Sequence, residues 1–188
     1  GSDSNEQRET AVRTLLQEII REHRKVVFDG DNYADAWHKE AKKRGLPNLR
    51  TAADALPVLT TQKSLDLFDH YGVLSNRELE ARKEVLLEQY TTIVGIECRT
   101  LIQMLSTQIL PAALRYQGEL SEIVASSQTV SVDCSRTVGR LSDVANLAEA
   151  MQESIETMKA AESSEHECST EHAAYVRDSL VPAMEIAR

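Results

Sequence analysis

A repeated apolar spacing in the C-terminal half of the chain is the feature that most constrains its fold. Apolar residues recur there at alternating intervals of three and four positions: Leu141, Val144, Ala148, Met151, Ile155 and Met158. This spacing places all of them on one stripe of an α-helix, which we predict over residues 132–161. Such a stripe has to be buried against another element of the fold.

A second long helix is predicted upstream, from Asn76 to about Gln117 or beyond. It carries a comparable stripe: Leu87, Val94, Cys98, Leu101 and Leu105. Because both helices have one apolar stripe to bury and each is the other's nearest partner, the sequence favours an antiparallel hairpin with Ser126–Thr129 as its connection. The alternative is that the two long helices are nearly continuous. Pro111 lacks an amide hydrogen, so we expect a kink near residues 107–110.

The composition favours the same fold class. Aromatic residues make up 4% of the 188 residues, and there are 7 glycines and 4 prolines, which are few turn residues for a β-sandwich or barrel. The predicted fold is therefore all-α, a helical bundle with a long antiparallel helical hairpin and shorter N-terminal helices. The formal net charge of −9 disfavours nucleic-acid binding. No apolar run approaches the ~20 residues of a membrane span.

Four shorter helices are predicted before the hairpin, over residues 5–27, 33–44, 51–56 and 62–71, the last with Leu65, Leu67 and Phe68 inward. Their boundaries follow from capping signals. Asn32 is expected to cap the second helix, Gly45 and Gly72 to end the second and fourth, and Thr51 with Asp54 to open the third. Ser75 and Glu78 form a capping box for the long helix.

We divide the chain into a short-helix segment (1–75), the long hairpin (76–162), and a polar loop with a C-terminal helix (163–188). Together they are predicted to form one structural domain. The chain begins with Gly1-Ser2, a typical remnant of protease cleavage, and not with Met. We therefore expect the natural protein to begin further upstream.

Two groups of residues have metal-ligating side chains. The first lies in the predicted polar loop and the start of the last helix: Glu165, His166, Glu167, Cys168, Glu171 and His172. Its spacing matches no common zinc signature, so we interpret it as a solvated loop. The alternative is a metal-binding regulator that uses His166, Cys168 and His172. The second group is Asp29, Asp31 and Asp35. It lacks the glycine that a calcium loop has at its sixth position, so it is interpreted as a turn.

The remaining candidates are thiols and a basic cluster. Cys98 and Cys134 fall on the apolar stripes, and Cys168 is expected to be exposed. The basic residues near the second helix are interpreted as a solvated face: Lys39, Lys42, Lys43, Arg44 and Arg50. No phosphate-binding glycine loop is present. The sequence therefore predicts no catalytic, no cofactor-binding and no metal-binding residue, and three widely spaced cysteines favour a cytoplasmic protein.

One stretch resembles a known family. It runs from Val27 to Leu49, and its most specific part is Trp-x-x-Glu-Ala-x-x-Arg-Gly-Leu-x-Asn from Trp37 to Asn48. The stretch resembles the region that follows the catalytic core in type III glutamine synthetases. The resemblance covers most of Leu15 to Tyr116 and becomes loose after Gly118. In that family the chain continues past the position of Arg188 with an aromatic and proline-rich tail.

The resemblance implies a parent enzyme that ligates ammonia to glutamate using ATP and Mg²⁺ or Mn²⁺, in a large ring-shaped homo-oligomer. None of the family's catalytic motifs lies in these 188 residues. The expected role is therefore that of a non-catalytic C-terminal domain in packing or oligomer assembly. Its expected partner is the upstream catalytic domain of the same polypeptide, with no nucleic acid and no membrane. The alternative is a stand-alone helical adaptor without enzymatic activity.

Overall fold

The computed structural model describes residues 2–164, 166 and 168–188, with side chains from residue 5 onward. The chain forms two compact units, one ending at Arg50 and one spanning Thr51–Arg188. Throughout the described residues the regular structure is helical, without any strand. The predicted all-α class is therefore confirmed.

The first unit contains two helices, α1 (Ser2–His23) and α2 (Asp35–Lys43), with a 3₁₀ turn at Arg24–Val26. The prediction that Asn32 caps α2 is wrong, because Ala34 occupies the N-cap position without a side-chain bond. The chain turns before α2 instead, where the carboxylate of Asp31 accepts a hydrogen bond from the backbone amide of Tyr33 at 2.9 Å. Gly45 follows α2 at φ +69°, as predicted for a helix stop.

Arg44 holds the first unit together. Its Nη1 donates hydrogen bonds to the backbone carbonyls of Val27 at 2.7 Å and Lys25 at 3.2 Å. In the same unit, the ring centroids of Phe28 and Trp37 lie 4.8 Å apart. The end of the 3₁₀ turn is thereby bound to the C-terminal end of α2.

The second unit begins with α3 (Ala52–Ala55), a 3₁₀ turn (Leu56–Thr60) and α4 (Gln62–His70). Thr51 Oγ1 accepts a hydrogen bond from the Asp54 amide at 3.2 Å, which confirms the predicted cap. Leu67, expected to face inward, is exposed. The predicted inward orientation of Leu67 is therefore wrong.

One continuous helix of three parts follows: α5 (Asn76–Met104), a π-helical turn (Leu105–Ile109) and α6 (Leu110–Thr129). Its start has the predicted capping box, in which the amide of Ser75 donates to Glu78 Oε2 at 2.8 Å. Where a kink was expected the structure has the π-helical turn. Pro111 has no amide hydrogen to donate, and the wider turn directly before it marks the interruption of the α-helical hydrogen bonds.

α7 (Ser135–Glu162) returns along this helix. The predicted connection is wrong, because residues 126–129 are helical and the turn lies at residues 130–134, with Ser131 at φ +57°. The hydroxyls of Ser127 and Thr129 donate to carbonyls four residues earlier, at 2.8 and 2.9 Å. Their polar side chains are thus satisfied inside α6 and do not end it.

The chain ends with α8 (Ser169–Tyr175), a second π-helical turn (Val176–Leu180) and α9 (Val181–Ala187). These three parts form one helix over residues 169–187, here called the last helix. The main core joins it to both arms of the hairpin through Cys98, Leu105, Ile155, Met158, Val176, Leu180, Ala183 and Met184. The later parts of the two predicted stripes therefore meet within one chain, at Cys98 and Leu105 with Ile155 and Met158, whereas Leu87 packs in a second cluster with Ala53 and Ala173.

Candidate functional site

A cavity of about 220 Å³ opens where α5, the end of α7 and the last helix meet. Three elements contribute its polar side: Thr92, Gly95, Arg99, Glu162, His172 and Tyr175. The buried side chains of Val176 and Leu180 form its apolar side. Both kinds of surface that a small ligand needs are present.

An ion pair lies in the lining of the cavity. Arg99 Nη1 donates a hydrogen bond to Glu162 Oε1 at 2.5 Å, and the two side chains are 56% and 30% exposed. Within the described residues this is the only protein partner of the guanidinium. Further N–H groups of Arg99 and the second carboxylate oxygen of Glu162 therefore stay available to solvent or a ligand.

Gly95 lies on α5, one helical turn before Arg99. Glycine in a helix interior costs about 1 kcal/mol relative to alanine, so its position calls for a reason. A Cβ at Gly95 would lie 3.5 Å from Arg99 Nη1, which is ordinary van der Waals contact. The glycine therefore leaves space in the cavity wall, where a larger side chain would occupy it.

Two of the residues that line the cavity, His172 and Tyr175, belong to a cluster of three rings with His166. The His166 ring centroid lies 5.3 Å from that of His172 and 4.5 Å from that of Tyr175. Ser164 Oγ donates a hydrogen bond to the Tyr175 hydroxyl at 3.0 Å. Burial and, secondarily, the neighbouring His166 lower the pKa of His172. The His172 imidazole is therefore neutral at pH 7, when it offers one donor and one acceptor nitrogen.

The group considered for zinc is brought together only in part. His166 and His172 stack on each other, and Cys168 is exposed at the N-cap position of α8. Glu165 and Glu167 lie outside the described residues. Among the residues that are described, no three His, Cys, Asp or Glu side chains are arranged to hold a metal ion.

The three thiols have different surroundings. Cys98 is fully buried in the core, as expected, and burial followed by the Glu162 charge raises its pKa. Cys134 occupies the N-cap position of α7 and is partly buried. Hydrogen bonds from the backbone amides of Glu171 and Thr170 lower the pKa of the exposed Cys168.

The aspartates and the basic cluster both lie in the first unit. Asp29, Asp31 and Asp35 are exposed, and Asp35 opens α2. The lysines of the cluster are exposed, whereas Arg44 is half-buried against backbone carbonyls. Reasoning from sequence missed this structural role of Arg44.

The Arg99–Glu162 pair was also missed. Its members lie 63 positions apart, so no local pattern joins them. The available signal was Gly95, a glycine inside a long helix with an arginine four positions later.

Comparison with known proteins identifies the family. A family model described as "Glutamine synthetase C-terminal domain" matches residues 11–128, more than half of the chain. A type-3 glutamine synthetase from Dictyostelium discoideum is 31% identical over 96% of this chain and 26% of its own length. Glutamine synthetases from Butyrivibrio fibrisolvens and Bacteroides fragilis (strain YCH46) are each 35% identical, over 70% and 61% of this chain.

These relatives are much longer proteins. The chain spans 19% of the Butyrivibrio protein and 16% of the Bacteroides protein, so it corresponds to about a quarter or less of each relative. The family model covers the chain from the middle of α1 to the last turn of α6, which includes the Arg44 contacts and the Arg99 side of the cavity. The chain thus belongs to the glutamine synthetase C-terminal domain family, with a type-3 enzyme among its relatives.

Proposed function

We propose that this chain is the C-terminal helical domain of a longer type III glutamine synthetase, and that it acts in packing and oligomer assembly. The greater length of the relatives supports the first part. The second part rests on one observation, an uncovered apolar stripe on α1. The parent reaction would be the ATP-dependent ligation of ammonia to glutamate.

The stripe consists of Val12, Leu15, Leu16, Ile19 and Ile20, whose side chains are between 43% and 63% exposed. They recur at the spacing of one helical face. A contiguous apolar face of this kind marks a contact surface for another protein body, since its exposure to water is unfavourable. The preceding part of the same polypeptide is the partner that would be held closest to α1.

We propose that the upstream part carries out catalysis and binds ATP and Mg²⁺ or Mn²⁺. The described residues bring no three metal-ligating side chains together, so we assign none of them to a metal. No helix among the described residues is long and apolar enough to cross a bilayer. The absence of disulfides between the three cysteines supports a reducing, cytoplasmic location.

The test uses the full-length enzyme with Leu16→Glu and Ile19→Glu together. These charges would be desolvated in the proposed contact, so we expect smaller particles in sedimentation and a parallel loss of ligase activity. The isolated 188-residue chain with the same changes should stay folded, because both side chains are already exposed. Gln17→Glu, on the opposite side of α1, is the matched control and should assemble normally. If the double variant formed particles of the same size as the wild type, the proposal would be contradicted.

The same stripe would also suit a stand-alone adaptor that binds a separate protein. Native mass distinguishes the two functions. An antibody against this chain should detect a species several times larger than 21.0 kDa in source cells if the domain belongs to a synthetase. A species near 21.0 kDa would support the adaptor.

A further inference from the structure

We propose that the outer face of α5 binds the same face of a second copy of this chain, as an antiparallel pair of helices. This deepens the proposed assembly role, on which it rests for its place in the longer protein, by naming the partner of a second surface. The outer face consists of six residues at alternating intervals of four and three positions: Arg82, Leu86, Gln89, Ile93, Ile96 and Thr100.

The apolar residues of this face are uncovered. Leu86, Ile93 and Ile96 are 41%, 47% and 52% exposed. The core residues Leu87 and Cys98, both 0% exposed, lie on the opposite side of the same helix. α5 therefore has apolar side chains on two sides, and among the described residues only one side is packed.

The spacing of the outer face indicates the kind of partner that covers it. Intervals that average 3.5 residues keep one line of side chains facing a second helix along its whole length. The face from Arg82 to Thr100 is ~27 Å long at ~1.5 Å per residue. The expected partner is therefore another long helix that lies along α5.

Charges beside the outer face favour a second α5 as that helix. Lys83 and Glu97 lie on the same flank of the face, one near each end. When Leu86 is placed opposite Ile96 of the second copy, Lys83 of each chain lies beside Glu97 of the other. Two ion pairs then form about one two-fold axis. Among the described residues neither Lys83 nor Glu97 has an ion-pair partner within its own chain, so both charges are available.

Arg82 decides the orientation of the two helices. In a parallel pair each residue of the face meets its own copy, so two guanidinium groups would be brought together at Arg82. In the antiparallel pair Arg82 lies opposite Thr100, whose hydroxyl accepts a hydrogen bond. The antiparallel arrangement therefore avoids this repulsion.

A shallow groove lies on the outer face near the N-terminal end of α5, with a volume of about 400 Å³. It is lined by Glu78, Ala81, Arg82, Val85 and Leu86. In the antiparallel pair the groove receives Ile96 and Met104 of the second copy, which are 52% and 44% exposed. The two-fold axis generates two such contacts, so each chain both provides a groove and fills one.

The length of the contact sets its strength. Specific interfaces usually bury ~1,200–2,000 Å² in total. Two helices ~10–12 Å wide that touch over ~27 Å reach at most the lower end of that range. Gln89 adds a polar side chain in the middle of the face, so we expect a weak dimer with a dissociation constant of about 10–100 μM.

The first experiment is sedimentation equilibrium of the 188-residue chain, which should show a monomer–dimer equilibrium. Ile93→Glu should raise the dissociation constant at least about tenfold, because its charge would be desolvated in the contact. Ile93 is 47% exposed in the monomer, so the variant should stay folded, as circular dichroism verifies. Leu114→Glu is the matched control on α6, where Leu114 is 50% exposed, and it should dimerise like the wild type.

A charge reversal tests the antiparallel pairing. Lys83→Glu and Glu97→Lys should each raise the dissociation constant by about tenfold, because each places like charges together at two symmetric positions. The double variant restores opposite charges and should dimerise about as tightly as the wild type. In a parallel pair positions 83 and 97 do not meet, so no recovery would occur.

Three outcomes would overturn the proposal. The chain could remain monomeric at several hundred micromolar, the folded Ile93→Glu variant could dimerise like the wild type, or the double charge reversal could fail to recover. Leu16→Glu with Ile19→Glu should leave this dimer intact, and loss of the dimer in that variant would place self-association on α1 instead. The particle size of the full-length enzyme with those α1 changes tests the packing role separately, whether or not the α5 dimer forms.

Discussion

Arg177 on the last helix donates a hydrogen bond to the carboxylate of Asp54 on α3, joining residues 123 positions apart. The same guanidinium also binds Asp178, with N···O distances of 2.6 and 2.7 Å. Asp54 in turn accepts a hydrogen bond from the Thr51 hydroxyl at 2.6 Å. The beginning and the end of the second unit are therefore linked by one ionic network.

This network should contribute measurably to stability. In a double-mutant cycle of Asp54→Asn and Arg177→Gln, we expect a coupling free energy of about 0.5–1 kcal/mol, typical of a partly exposed pair. Urea unfolding supplies the four free energies. Asp143→Asn, exposed on α7, combined with Arg177→Gln is the control and should show no coupling. A coupling of zero for Asp54 and Arg177 would mean that the pair is open in solution.

Adjacent leucines on α5 provide a test of the core. Leu87 is 0% exposed and Leu86 is 41% exposed. Leu87→Ala should lower the free energy of unfolding by about 2–5 kcal/mol, because it leaves a cavity against Ala53 and Ala173. Leu86→Ala, the same change one position away, should cost about 1 kcal/mol or less. If urea unfolding gave equal losses of unfolding free energy for the two variants, Leu87 would not be the buried member of the pair.

Acid should weaken the second unit through His172. Burial, and secondarily His166, lower the pKa of His172 in the folded state below its unfolded value of about 6.5. The unfolded chain then binds the proton more readily. The stability contributed by neutral His172 is therefore complete above about pH 6.5 and is lost as the pH falls below that value. His166, Tyr175, Arg99 and Glu162 surround the same region.

The measurement compares unfolding free energies at pH 7.5 and 5.5 for the wild type and His172→Phe. The phenyl ring keeps the aromatic contact and removes the titration, so the variant should lose less stability on acidification. His70→Phe, an exposed histidine on α4, is the control. If His172→Phe and the wild type lost equal stability, another group would be responsible.

The three thiols should react at very different rates. The thiolate is the reactive form, and the backbone amides of Glu171 and Thr170 lower the pKa of exposed Cys168. Cys98 is buried and its pKa is raised. With an aromatic disulfide reagent at pH 7, Cys168 should react first, and Cys98 only on unfolding. Cys168→Ser should remove the fastest phase. Native-state labelling of Cys98 at the same rate would contradict its burial.

Local signals in the sequence predicted much of the second unit. The capping box of Ser75 and Glu78, the glycine stop at Gly72 and the seam containing Met158 all appear in the structure. Each of these depends on residues a few positions apart. The wrong predictions concern residues whose local signal is compatible with more than one structure. Ser127, for example, has turn character but bonds its own helix backbone in α6.

The candidate site was much less predictable than the fold. Gly95 and Arg99 are visible as neighbours on one helix face, but Glu162 and His172 reach the cavity from other elements. Their meeting requires the hairpin to close and the last helix to pack on it. The exposure of the α1 stripe was likewise not predictable. Helical periodicity shows that the stripe exists, but it does not show whether another helix covers it.

The amino-acid sequence by itself determined that the chain is all-helical, that the later parts of its two long stripes pair, and that it belongs to the glutamine synthetase C-terminal domain family. Helical periodicity, capping and family motifs are local, so they can be read residue by residue. Only the tertiary structure decided that Arg177 meets Asp54 and that Arg99 meets Glu162. Those contacts join residues 123 and 63 positions apart, and their geometry depends on how whole helices stack against one another.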